Sequence, residues 1–143
     1  MGMAIRMNIG QFKEQLRATV DKLHAATRPA AQAGAEVIYQ RARINAPVSQ
    51  DSHFFYIRGR KYGPYAPGTL RDAIYQVFSK DNSFKDVSTY HISFNKSEAP
   101  YGFIVHNGTS RTAAHPFIAK AVIETRAQVR EAIKARYIEE VKK

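Results

Sequence analysis

The chain contains no cysteine and no tryptophan. Without cysteine there is no disulfide scaffold, no thiolate zinc site and no thiol nucleophile, which fits a reducing compartment. Long apolar runs are missing too. No stretch approaches the roughly 18 residues of a membrane-crossing helix, so no membrane partner is expected. Met1 to Gln11 lacks the apolar centre of a secretory leader, so export by that route is not expected. Acidic residues are scarce, 12 against 22 Lys and Arg, which leaves a net charge of +10. Such a balance suits polyanions or acidic protein surfaces, and it also keeps a small domain soluble. The bases are spread along the chain and interleaved with acids, as on solvated helix faces.

A length of 143 residues, 44% of them apolar, predicts one domain spanning 1–143 with one modest core. Asn8 can cap a helix, with Gln11 completing a capping-box pattern. Ile9, Phe12, Leu16, Val20 and Leu23 recur at spacings of three and four, which predicts an amphipathic helix with one buried stripe. Pro29 predicts a kink or restart near Thr27 to Pro29. The next run carries Ala30, Ala33, Gly34, Val37, Ile38, Ala42 and Ile44, and Ala46-Pro47 ends it. Its small residues allow close approach of another element, either in the core or at an oligomer contact.

Residues 49–67 read as a long irregular loop, unusual in a compact domain. It sets Phe54, Phe55, Tyr56, Tyr62 and Tyr65 beside Arg58, Arg60 and Lys61. Three readings are open. The aromatics and cations can stack on bases and neutralise phosphates. They can anchor a protein partner, a role in which Tyr and Arg are common. Or the rings fold back onto the domain. Tyr56, Arg58, Arg60, Tyr62 and Tyr65 are the candidate contact residues.

Ala73 to Ser79 reads as a strand, and residues 87–94 alternate so that Tyr90, Ile92 and Phe94 point inward. The two are expected to pair as an antiparallel hairpin, with helices packed on one of its faces. Tyr101 to His106 reads equally as a third strand or a short helix. Asn107, Gly108 and Thr109 form a turn, where Gly108 gives access to angles that other residues avoid. Pro116 suits the first turn of a helix. That last helix, about 26 residues long, exceeds the average. Ile118, Val122, Val129, Ile133, Tyr137 and Val141 form its stripe, with Thr125 in the gap, and its end is expected to project towards a partner. The fold class is α+β: a long N-terminal helix, a small antiparallel sheet and a long C-terminal helix.

The five histidines, His24, His53, His91, His106 and His115, show no metal-binding spacing. Glu98 with His106 is the one acid–base candidate, and no nucleophile elbow or phosphate loop accompanies it. No catalytic, metal-binding or cofactor-binding residue is assigned, and the chain is not expected to be an enzyme.

Several dispersed segments carry a resemblance. They are Ala46-Pro47-Val48, Gly68-Thr69-Leu70-Arg71-Asp72-Ala73-Ile74, Ala99-Pro100-Tyr101 with Val105, Gly108-Thr109, and Ala114-His115-Pro116-Phe117 before Ala121. In their order and final spacing the chain resembles the tail-completion, or head–tail joining, proteins of HK97-type long-tailed phages and prophages. It departs from their pattern in the inserted segment 49–67 and in His106-Asn107, where an acid and an aromatic are common. The resemblance implies a small α+β minor tail protein of the neck or upper tail, located in the virion and in the host cytoplasm during assembly. It implies phage neck and tail proteins as partners, a homo-oligomeric ring, non-specific contact with DNA in the assembled lumen, and no cofactor. The alternative from the residues themselves is a basic nucleic-acid-binding domain that uses residues 53–65.

Overall fold

A computed structural model describes residue 2 and residues 9–84 and 87–143. The expected cap at Asn8 lies outside the described residues. The dominant element is helix α1, Ile9–Asn45, which runs unbroken for 37 residues. Hairpin β1 (His53–Ile57) and β2 (Arg60–Tyr65) follows, then short helix α2 (Thr69–Ala73). A second hairpin pairs β3 (Ile74–Phe78) with β4 (Tyr90–Phe94). Helices α3 (Gly102–Asn107), α4 (Phe117–Glu124) and α5 (Arg126–Val141) complete the chain. The α+β class therefore holds, with two separate two-stranded antiparallel sheets where one sheet was expected.

Pro29 neither kinks α1 into two elements nor restarts it. A proline there lacks its helical N–H, and its ring crowds the preceding turn. Helix α5 packs along α1 across this point. The Tyr137 hydroxyl donates to Thr27 Oγ1 at 2.9 Å on one side of Pro29. On the other side Gly34 faces Ile133 and Val129 so closely that an added Cβ would lie 2.8 Å from Ile133 Cγ1. Tertiary contacts on both sides of the proline hold the helix continuous. They also give the small-residue face its use: Ala26, Ala30 and Gly34 are buried in the α1–α5 packing within one chain.

The second hairpin pairs in the register Ile74↔Phe94, Gln76↔Ile92 and Phe78↔Tyr90. Tyr90, Ile92 and Phe94 are half-buried, and Ile92 and Phe94 pack against the core. Gln76 donates to Glu36 and ties this hairpin to α1. The stretch Tyr101 to His106, open between strand and helix in sequence, leads into and forms most of helix α3 (Gly102–Asn107), and Gly102 lets the chain pass the Phe94 ring closely. The C-terminal helix breaks at Thr125. Thr125 is buried and donates from Oγ1 to the Ala121 carbonyl at 2.6 Å, a back-bond of the kind that bends helices.

The core gathers Ala42, Ala46, Leu70, Ala73, Ile74, Ala99, Tyr101, Phe117 and Ala121. Phe117 is the largest fully buried side chain. Alanines on α1 and α4 let both helices close around that ring. Arg41 donates to Glu124 at 2.6 Å and Asn45 donates to it at 2.9 Å, pinning α4 to the end of α1.

The first part of α1 lies outside this packing. Ile9 (58% exposed), Phe12 (63%) and Leu16 (53%) are open to solvent, and Val20 and Leu23 are exposed as well. The expectation of a buried stripe fails here for a reason of length. Helix α1 is roughly 55 Å long and α5 roughly 24 Å, at about 1.5 Å per residue. The contacts of Tyr137 with Thr27 and of Ile133 with Gly34 make α5 antiparallel to α1. Helix α5 therefore ends near the level of Leu23. The element that projects is the start of the first helix, in place of the end of the last.

Candidate partner-binding surfaces

Segment 49–67 contains an ordered hairpin where an irregular loop was expected. The His53, Phe55 and Ile57 positions alternate with Phe54 and Tyr56, the period-two pattern of a strand. Arg58 (φ 53) and Gly59 (φ 77) are the turn. Two successive positive φ values make the twist of a two-residue hairpin loop.

The two faces of the hairpin do different work. On the inner face Phe55 stacks on Tyr101, with ring centroids 4.2 Å apart and planes within 4°. Tyr65 meets Tyr101 at 4.7 Å and His53 meets it at 5.4 Å. Burial pushes the Tyr101 phenol up from its ordinary pKa. Tyr65, a candidate contact residue from sequence, is thus a half-buried part of the packing. Tyr62 is also half-buried, with the Arg60 guanidinium 6.0 Å from its ring centroid. On the outer face Tyr56 is 66% exposed and pairs across the strands with Lys61. The Lys61 ammonium lies 4.1 Å from the Phe54 ring centroid, a cation–π contact. Arg58 and Arg60 are exposed at the tip. The structure brings Tyr56, Arg58 and Arg60 to one open end, with Phe54 and Lys61 beside them. It turns Tyr65 towards the core.

The turn residues form a second cluster. Gly108 has φ 75, and an added Cβ would lie 2.8 Å from the Ala114 amide nitrogen. Its N–H bonds the Ile104 carbonyl at 2.7 Å and closes α3. Thr109 Oγ1 accepts from the Arg111 and Thr112 amides, and His115 N–H donates to the Val105 carbonyl at 2.7 Å. Asn107, the last residue of α3, has its Oδ1 3.1 Å from His106 Nδ1. Pro116 precedes the first turn of α4 and delivers Phe117 to the core. These bonds make a rigid junction. His106 packs edge-on to Phe117 at 5.3 Å, and Glu98 is exposed in the loop after β4.

A large open cleft, about 1280 Å³, lies between α1, the second hairpin and α5. Arg28, Lys80, His91 and Arg136 line it, but so does Asp81, and Arg28 is committed to the Phe78 ring at 3.8 Å. Among the described residues, no cluster of three or more His, Asp or Glu side chains could hold a metal ion. No helix among them is long and apolar enough to cross a membrane.

The bare stripe of α1 is the surface that sequence reasoning missed. Once α1 runs through Pro29, the lengths carry the signal: a last helix of about 26 residues cannot cover a first helix half as long again. Fold and surfaces together define a small α+β module that presents an ordered hairpin and a projecting helical arm. No family model, no curated protein and no solved structure matches this chain.

Proposed function

We propose that this protein is a structural subunit of the neck or upper tail of a phage or prophage virion, acting in tail completion and head–tail joining. The observation that carries the reading is a convergence. The segments of the resemblance are scattered in sequence, yet Ala46, Leu70, Ala73, Ala99, Tyr101, Phe117 and Ala121 meet in one core. Segments that carry one pattern and build one core behave as a unit of fold. A subunit of this kind works through contacts and needs no cofactor. Its partners are phage neck and tail proteins, with a homo-oligomeric ring around the tail axis as the arrangement. The hairpin is preformed, so holding Tyr56 and Arg58 against a partner costs less ordering entropy than a loose loop would. The net charge of +10 suits an acidic ring surface, and it suits a lumen through which DNA passes.

The test is complementation of the encoding phage after deletion of this gene, scored by electron microscopy. The intact chain restores joined heads and tails. The double variant Tyr56→Ser, Arg58→Ser restores fewer, while its thermal melting stays unchanged because both side chains are exposed. Substitution is the right probe, since removing the hairpin also strips Phe55 and Tyr65 from Tyr101.

One observation favours a second reading, a basic nucleic-acid-binding domain. From His53 to Tyr65 there are three cations, two open aromatic rings and no acid. If the intact chain fails to rescue joining, and binds duplex or single-stranded DNA with an affinity that falls steeply with salt, this second reading replaces the first.

A further inference from the structure

The bare stripe of α1 lies on the face that α5 covers further along. At about 3.6 residues per turn, Ile9, Phe12, Leu16, Val20 and Leu23 share one side of the helix with Ala26, Ala30 and Gly34. The last three are buried under α5, and the first five are open. One helical groove is thus half filled by this chain and half empty, with the end of α5 as the boundary.

The charges around the empty half point to what fills it. Lys13 and Arg17 flank the stripe along one edge, and Gln15, Thr19 and Lys22 flank the other. Glu14 and Asp21 lie further round, away from the stripe, three and four residues from Arg17. At the boundary Lys142 and Lys143 are exposed, while Glu139 and Glu140 are engaged by Arg136 and Lys143. The apolar groove formed by Ile38, Val122, Val129 and Ile133 is also rimmed by cations, Arg126 and Arg130. A second copy that used either surface would bring cations to cations.

We propose that the arm Ile9–Leu23 docks an amphipathic helix of a different protein, one whose apolar stripe is edged by carboxylates. The incoming helix lies in line with α5 and continues its packing along α1. Its Asp and Glu side chains meet Lys13 and Arg17 at the edge and Lys142 at the end of α5. This surface does not depend on the head–tail reading, because it rests on the bare stripe and its cations, and it is measured without any phage.

The experiment uses the full chain and two designed fluorescent peptides, each about 20 residues long and with the same leucine stripe. One carries Glu along its edges and the other Lys. Fluorescence anisotropy should show the Glu-edged peptide binding at least about tenfold more tightly than the Lys-edged one. Leu16→Ser should weaken that binding by about tenfold, with circular dichroism and melting unchanged. Binding should also weaken as salt rises from about 0.05 to about 0.5 M. The double reversal Lys13→Glu, Arg17→Glu should shift the preference towards the Lys-edged peptide. Equal binding of the two peptides, or binding of neither, overturns the proposal. So does a stable oligomer of the intact chain that Leu16→Ser dissociates, which would make a second copy the occupant. Binding of anionic phospholipid vesicles through the same leucine, without peptide binding, overturns it in favour of a lipid surface.

Discussion

The two halves of α1 share one helix and one apolar face, and they meet opposite conditions. From Ala26 to Ala42 the face is built from small residues and lies under α5 and α4. From Ile9 to Leu23 it is built from large residues and lies in water. The small residues are where this chain packs against itself, since only a slim face lets Ile133 and Val129 of α5 seat as closely as Gly34 allows. The large side chains stand where nothing of this chain reaches. Large apolar side chains on an open helix face, contiguous with a packed one, are the feature on which the proposed docking of a partner helix rests.

Four experiments break or sharpen this contrast. The largest effect belongs to the packed half. Phe117→Ala empties the centre of the core and is expected to cost about 3–5 kcal/mol, measured by urea denaturation. A loss under about 1 kcal/mol would show that the ring does not organise the junction of α1 and α4. Next, Gly34→Leu drives a side chain into Ile133 and Val129, with an expected loss of about 1–3 kcal/mol. A stabilised variant would mean that α5 moves aside freely and that the two halves differ little.

A smaller effect appears with pH. The hydrogen bond from Arg41, with help from Asn45, holds the Glu124 carboxyl below its ordinary pKa. A lowered folded pKa adds stability above the ordinary glutamate value of about 4.3, lost as pH falls through the lowered value. The melting temperature should therefore drop on acidification below about pH 4.3, and Glu124→Gln should flatten part of that drop. An unchanged acid profile in the variant would remove the α1–α4 tie from the account. The smallest effect is on the arm. Leu16→Ser should change global stability by no more than about 0.5 kcal/mol in the same urea experiment. A loss like that of Gly34→Leu would mean that the arm is covered in solution.

Much of the local structure was legible. The β3–β4 pairing follows from the alternation of Tyr90, Ile92 and Phe94, and the Gly108 turn follows from the backbone freedom of glycine. The first hairpin was harder to see. Its turn has positive φ at Arg58, where Asn, Asp or Gly is the usual signal, so the segment read as a loop. Pro29 misled in the other direction, because a local rule for proline gave way to packing on both of its sides. Of the five candidate contact residues, Tyr56, Arg58 and Arg60 stand at the open end, and the half-buried ring of Tyr65 belongs to Tyr101.

The sequence by itself determined the helices' amphipathic faces, the period of the second hairpin, the Gly108 turn and the positive charge. Each of these depends on backbone sterics or side-chain spacing within a few neighbouring residues, so no distant contact is needed to set it. The tertiary structure decided that α1 runs through Pro29, that the first hairpin lays Phe55 and Tyr65 on Tyr101, and that α5 stops near Leu23. Those outcomes depend on which elements meet and how far each one reaches. A stripe of apolar residues specifies a face to be covered, and only the packed chain decides which part of that face it covers itself.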